Sequence, residues 1–228
     1  MKNLKRELKI TDDGSHTLFV PELNEHYHST HGAIQEAMHV YLSAGFHFCI
    51  QDPIHILEIG FGTGLNCLLT LIEAQKQNRT VIYHSIELYP IKEEHIQNLN
   101  YTDQIEGLKK GLFSQLHKAE WNEEVKINEN FTLKKLQGDL CEYNFSAKYD
   151  LIYFDAFAPD IQPELWTQDI FEKLHKCLNK DAILTTYSTK GIVKRALRSA
   201  GFEVKRLPGP PGKRQMLRAK KIKTIPIQ

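Results

Sequence analysis

Apolar positions along this chain switch repeatedly between two periods. Residues 54–59 (IHILEI) are almost continuously apolar and β-branched, which predicts a buried strand stopping at Gly60. In the next stretch, NCLLTLIEAQKQ, apolar residues recur three and four apart, the spacing of one helix face. The same alternation returns downstream. Residues 80–88 and 149–155 read as strands, the second nearly all apolar, and a helix follows Pro90 to about Asn98. Residues 167–178 and 190–200 have amphipathic helical spacing, the latter closed by Gly201, with a strand at 182–187 between them. Segments 202–206 and 215–219 read as strands joined by the turn LPGPPGK. Strands alternating with helices predict an α/β fold, a doubly wound and mostly parallel sheet. A terminal antiparallel hairpin would close it.

Two regions are less regular. Residues 1–10 and 16–20 can pair as a hairpin across TDDGS, and a helix is expected from 32 to 43, capped by Ser29 or Thr30 and ended by Gly45. Residues 1–50 thus form an extension packed on a core of residues 51–228 and able to fold over the glycine turn. Between 101 and 130, LKKGLFSQLHKAEW reads as helical with Trp121 closing an apolar face, and EVKINENFTLKKLQGDL supplies short alternating strands.

Composition adds little except at one end. The chain has 228 residues and a net charge of +1, enough for one full core. Cys49, Cys67, Cys141 and Cys177 form no CxxC pair and most lie among apolar residues, which predicts reduced, packed thiols in a cytoplasmic protein. MKNLKREL has no apolar signal core, and no apolar run approaches a bilayer span, so no membrane association is expected. From Val204 onward there is no acid, while Lys205, Arg206, Lys213, Arg214, Arg218, Lys220, Lys221 and Lys223 are basic. Lys190, Lys194, Arg195 and Arg198 precede them. This is either a phosphate-backbone footprint or a solvated face.

The candidate chemistry sits at strand ends. Gly60, Gly62 and Gly64 follow GxGxG; the dinucleotide fingerprint wants its third glycine where Leu65 stands, and there is no phosphate-cradling GxxxxGK[ST]. Glu58 is an acid in an apolar strand, available to a ligand amine or to the turn backbone. Glu87 ends the next strand, where a carboxylate suits a ribose diol. That position fits a nicotinamide dinucleotide and adenosylmethionine equally. Asp139 is either an acceptor for an adenine amine or a turn cap. Asp155 begins DAFAPDIQPELW, a loop stiffened by Pro159 and Pro163 and flanked by Phe157 and Trp166. Those aromatics either serve the chemistry or anchor the loop. His26, His28 and His31 lack the carboxylate or cysteine spacing of a metal site, so no metal is expected.

Together the blocks NEHYHSTHGAIQEA, EIGFGTGLN, HSIEL, GDL, FDAFAPDIQPELW, TYSTKGIVKRALRSAGF and PGPPGKRQMLRA resemble the tRNA 5-methylaminomethyl-2-thiouridine methyltransferase family. That family comprises the methyltransferase domain of a bifunctional biosynthesis protein and its stand-alone relatives. The resemblance implies a class I fold dependent on S-adenosyl-L-methionine, Rossmann-like, with a seven-stranded, mostly parallel sheet and a terminal antiparallel strand. The implied reaction is direct methylation of the 5-aminomethyl group of a tRNA wobble uridine, with Asp155 accepting a proton from the amine or orienting it. The cofactor set is Tyr27, Glu58, Gly60, Phe61, Gly62, Thr63, Gly64, Asn66, Glu87, Asp139 and Asp155. The substrate set is His28, Phe157, Pro159, Trp166 and Tyr187 at the base, with Lys190, Lys194, Arg195, Lys213 and Arg214 on phosphates of the anticodon stem-loop. The expected partner is tRNA, not DNA, and no flavin oxidase domain is expected in this chain. A small-molecule amine methyltransferase, an aminopropyltransferase, a nicotinamide-binding oxidoreductase and a non-catalytic RNA-binding module are the competing readings.

Overall fold

The computed structural model describes residues 4–106, 108–109 and 111–222; Lys223 of the basic run and residues 1–3 of the expected hairpin lie outside them. Strands β1 (Glu7–Ile10), β2 (His16–Val20) and β3 (Glu25–His26) form a small antiparallel sheet. The remaining strands are β4 (Ile54–Ile59), β5 (Val81–Glu87), β6 (Glu124–Asn128), β7 (Phe131–Gln137), β8 (Tyr149–Phe154), β9 (Leu178–Thr186), β10 (Phe202–Pro208) and β11 (Gln215–Lys221). They make one sheet in the order β10-β11-β9-β8-β4-β5-β7-β6. Pairs β8–β4, β4–β5, β5–β7 and β8–β9 are parallel, and β11 runs antiparallel between β9 and β10. The sheet has eight strands rather than seven. The additional one, β6, pairs antiparallel with β7 through a turn in which Asn128 Oδ1 accepts the Asn130 N–H.

Both faces of this sheet are covered, so its central strands read as apolar runs rather than alternating ones; all six positions of β8 are buried. Ile54 and Ile56 of β4, with Leu151 and Tyr153 of β8, face one cluster together with helices α1 (Ala33–Ala37) and α2 (Leu65–Gln77). Leu57, Ile59, Ile152 and Phe154 face the other, against α6 (Gln168–Lys176) and α7 (Gly191–Ser199). The shorter helices α3 (Glu93–Ile96), α4 (Tyr101–Gln104) and α5 (Leu112–Lys118) fill the connection from β5 to β6. The expected helix after Pro90 is therefore a single turn.

The helix expected over 32–43 is longer and is held differently. After α1 the chain continues as a π-helical stretch, Met38–Phe46, in which Ser43 Oγ donates to the Met38 carbonyl and the His47 N–H to Leu42. Neither Ser29 nor Thr30 caps it. Gly32 (φ 145°) occupies the cap position, and Asp13, from the β1–β2 turn, accepts the Gln35 N–H at 3.0 Å. Nor does Gly45 end the helix. A Cβ there would lie 3.1 Å from the Tyr153 ring and 3.3 Å from Leu151, so the missing side chain lets the helix settle onto the sheet.

Candidate active site

The strand order reverses beside β4, and a cavity of about 430 Å3 opens there at the carboxyl ends of β4, β5, β7 and β8. Main-chain bonds lace its floor: the Gly60 N–H donates to Ile86 and the Asp155 N–H to Ile59. Gly60 (φ +92°) is irreplaceable by geometry, because a Cβ would sit 2.8 Å from the Asp155 carbonyl oxygen. The glycine turn and the aspartate loop therefore touch through their backbones.

Glu87 is half-buried at the cavity wall. Its Oε2 accepts the Gly62 N–H at 3.1 Å and its Oε1 the Tyr89 N–H at 2.8 Å, and each oxygen keeps a second lone pair for a ligand. Asp139 also lines the cavity, and its Oδ1 accepts the Cys141 N–H at 2.8 Å, so it does cap its turn. Tyr27 lies over Gly62, receives a bond from Arg6 Nε on its hydroxyl at 2.8 Å, and meets Phe157 edge-on at 5.1 Å. It bridges the glycine turn to the aspartate loop. His28 is tied to Thr17 Oγ1 at 3.1 Å and to Thr63 Oγ1 at 3.4 Å; desolvation pushes its imidazole down to about 4, so it is neutral. Phe61 and Thr63 line the cavity, whereas Gly64 (φ +76°) opens α2 away from it.

Asp155 faces the same space. The Tyr41 hydroxyl donates to its Oδ1 at 2.5 Å and Asn66 Nδ2 to its Oδ2 at 2.8 Å. Desolvation raises its carboxyl to about 6, against the opposing pull of those two donors. The result is an oriented carboxylate, still largely ionised at neutral pH, with lone pairs left toward the cavity.

On the substrate side the placement is mixed. Phe157 lines the cavity, its N–H bonded to Gln162 Oε1. Tyr187 walls it, the hydroxyl donating to the Ala156 carbonyl at 2.8 Å. Trp166 does not reach it: the ring is buried against Phe154, and its indole N–H holds the Phe157 carbonyl at 2.9 Å. Pro159 is buried outside the lining. The basic run divides as well, because Lys213 and Arg214 lie in the turn between β10 and β11 while Lys205, Arg206, Arg218, Lys220 and Lys221 lie on the strands. Lys213 enters the cavity, its ammonium 4.3 Å from the Tyr187 ring and paired with buried Glu36. Arg218 lies over Phe48, Lys220 pairs with Asp181, and Lys221 donates to the His175 and Leu178 carbonyls. Lys190 pairs with Asp160. Lys194, Arg195 and Arg198 on α7 stand beside Arg206 on β10, outside the cavity lining. Partial desolvation first, and then those three guanidinium charges, hold the Lys194 ammonium below its usual value. Arg214 is exposed.

Residues 102–222 match the S-adenosyl-L-methionine-dependent methyltransferase family. The chain belongs to that family. This methyltransferase is 31% identical over 229 residues to the tRNA 5-methylaminomethyl-2-thiouridine biosynthesis bifunctional protein MnmC of Burkholderia multivorans, covering 92% of this chain and 34% of that protein. The protein of the same name from Leptospira interrogans is 30% identical over 211 residues, covering 86% and 32%. The chain thus spans about one third of the length of the curated relatives it matches. Among solved structures, MNMC2 from Aquifex aeolicus superposes with a TM-score of 0.81 at 27% identity, over 97% of this chain and 71% of that one. Spermidine synthase from Thermotoga maritima, at 14% identity and a TM-score of 0.55, shares the fold.

The cofactor of the methyltransferase is S-adenosyl-L-methionine, and the cavity fits it. The positive-φ glycine turn leaves room where a Cβ would intrude, and the Glu87 carboxylate offers two acceptors for a diol. Glu58 corrects the expectation drawn for it. It is wholly buried beneath the turn, accepts from Ser85 Oγ at 2.6 Å, and does not line the cavity. His26, His28 and His31 have separate surroundings: Phe19, the two threonines, and Asp12. Among the described residues no group of three or more His, Cys, Asp or Glu side chains could hold a metal. The residues missed from sequence are Tyr41, Glu36 and Arg6. Tyr41 sits in the apolar stripe of its helix, where periodicity registers the ring and not the hydroxyl. Glu36 reaches the cavity because the helix carries it there.

Proposed function

We propose that the methyltransferase methylates the 5-aminomethyl group of a wobble uridine in tRNA, giving the 5-methylaminomethyl form. The observation that carries this reading is an oriented acid, Asp155, whose backbone abuts the glycine turn, so that amine and methyl donor would meet within one cavity. The name shared by the relatives, which concerns biosynthesis of 5-methylaminomethyl-2-thiouridine in tRNA, agrees with it.

S-adenosyl-L-methionine supplies an electrophilic methyl group on a sulfonium. Gly60, Gly62 and Asn66 would flank the methionyl end, Glu87 would accept from the ribose hydroxyls, and Asp139 would stand at the adenine. The attacking amine must be neutral to present a lone pair. Asp155 Oδ1 or Oδ2 takes its proton or orients its N–H; a carboxyl raised to about 6 is a better acceptor than an ordinary aspartate. Tyr41 and Asn66 keep that carboxylate from rotating, which is a positioning contribution. Tyr27 and Phe157 would close over the site and exclude water. Lys194, Arg195, Arg198 and Arg206 would hold RNA phosphates, which position the stem-loop without identifying the base. The uridine would leave its stack to enter.

In this reading residues 1–50 are an extension that roofs the cavity, and residues 51–228 are the catalytic unit. The protein works in the cytoplasm, in keeping with four free cysteines. No helix among the described residues is long and apolar enough to cross a membrane.

The test is incubation with labelled S-adenosyl-L-methionine and tRNA lacking the modification, followed by nucleoside analysis. Label in 5-methylaminomethyluridine or its 2-thio form is the expected result. Label confined to small amines, or no label on RNA, refutes the reading.

A further inference from the structure

Three buried side-chain atoms near Asp155 have no hydrogen-bond partner: Glu58 Oε1, Asn66 Oδ1 and Tyr83 Oη. They belong to one neighbourhood, because Asn66 and Tyr83 both lie close enough to act on the Glu58 carboxyl, where an N–H or O–H from either would favour its ionised form. Asn66 is already committed on its other side, with Nδ2 donating to Asp155 Oδ2. Glu58 is committed on Oε2, which accepts from Ser85 Oγ. Two of the orphans are therefore oxygens that cannot satisfy each other unless one of them carries a hydrogen.

We propose that Glu58 is a protonated acid whose Oε1–H donates to Asn66 Oδ1 and thereby keeps Asn66 Nδ2 turned toward Asp155. One proton completes the set. Glu58 gives Asn66 Oδ1 a donor, and Tyr83 Oη can donate to the lone pairs that Oε1 retains. An ionised Glu58 could accept the second Nδ2 hydrogen but would have nothing to offer Asn66 Oδ1, which would stay buried without a donor. Orientation is the point at issue, since an asparagine amide is nearly symmetric in shape and only its neighbours choose which end faces the carboxylate.

The electrostatics agree. The groups facing Glu58 are Ser85 and Tyr83 on β5, Asn66 and Cys67 on α2, and Tyr153 and Asp155 from β8 and the loop after it. None of these is a cation, and burying an unpaired carboxylate costs far more than burying a hydrogen-bonded acid. Desolvation is the largest influence and, with the Asp155 charge, outweighs the opposing pull of Ser85, Asn66 and Tyr83 and lifts Glu58 to about 8. Glu58 is then a positioning residue acting through Asn66, not a ligand for the cofactor. The inference rests on the reading that Asp155 works on the substrate amine, but the spectroscopic arm of its test needs no substrate.

Difference infrared spectra of the wild type and Glu58→Gln, recorded at neutral pH without RNA or cofactor, read the protonation state directly. A protonated-carboxyl band present in the wild type and lost in the variant is expected, and it supports the assignment whichever molecule is methylated. In turnover, glutamine can still donate an N–H to Asn66. Glu58→Gln should lower kcat by no more than about fivefold, while Glu58→Leu, which orphans Asn66 Oδ1, should lower it by about fiftyfold or more. The absence of the band, or a Glu58→Gln loss as deep as that of Glu58→Leu, overturns the proposal.

Discussion

Tyr41→Phe removes one hydroxyl and little else. The phenylalanine ring keeps its place beside Tyr153, 5.2 Å away between centroids, so the packing of the helix on the sheet survives. What disappears is the 2.5 Å bond to Asp155 Oδ1. A hydrogen bond to a charged group contributes about 1.5–3 kcal/mol, and one pKa unit corresponds to about 1.4 kcal/mol. Desolvation pushes Asp155 up and the Tyr41 bond pulls it down, so removing that bond should raise its carboxyl by roughly one to two units. From about 6 it moves to roughly 7 to 8. Activity requires the ionised form, so the acid limb of the kcat/KM profile should shift upward by the same amount. The pH-dependent part of the loss should be about two- to tenfold near pH 7 and should nearly vanish near pH 9, where both enzymes are ionised, leaving only the cost of a less firmly oriented carboxylate. Methyl transfer from labelled cofactor to tRNA, followed across pH, measures it. An unmoved acid limb, or an equal loss at every pH, would refute the assignment of Asp155 as the group oriented by Tyr41.

Three further outcomes follow from the same geometry. Gly60→Ala places a Cβ 2.8 Å from the Asp155 carbonyl at a φ of +92°, and should cost about 2 kcal/mol or more, roughly 4–8 °C in melting temperature by thermal unfolding. Glu87→Ala should weaken S-adenosyl-L-methionine by about ten- to a hundredfold in titration calorimetry while sparing tRNA affinity; unchanged cofactor affinity removes the ribose assignment. Reversing the charges of Lys194, Arg195, Arg198 and Arg206 should weaken tRNA broadly and flatten its salt dependence by about one unit of slope for each phosphate no longer neutralised. Full affinity retained at physiological salt would make that face a solvated one.

Much of this was legible in the residues because local pattern and tertiary outcome agree at the centre of the sheet. A strand as apolar as residues 149–154 has to be covered on both sides, and glycines at 60, 62 and 64 mark the bend where a ligand approaches backbone. Glu87 and Asp155 were readable as acids at the cavity because both fall where an apolar run ends. The remainder depends on interactions between distant segments. The start of α1 is capped by Asp13, across 22 positions of sequence, so the nearby Ser29 and Thr30 were false signals. Gly45 reads as a stop only until the sheet beneath it is known. Composition located the basic residues but not their partners, and so it could not separate Lys213, drawn inside to Glu36, from Lys194 on the open face. The Trp166 ring is large and apolar with one polar edge, which suits a base or a buried anchor equally until its N–H finds the Phe157 carbonyl.

The clasp over the cavity joins parts of the chain that leave the ribosome far apart in time. Lys213 reaches Glu36, 177 positions earlier, and the Pro208 carbonyl takes a bond from His39. Among the described residues the strand latest in sequence, Gln215–Lys221, is also the one wedged between its two predecessors in the sheet. Without it, β9 and β10 have no strand to join them, and Lys213, in the turn before it, has no fixed place in the cavity lining. The site is therefore completed only when segments far apart in the sequence are packed together, and neither segment carries its share of the cavity alone.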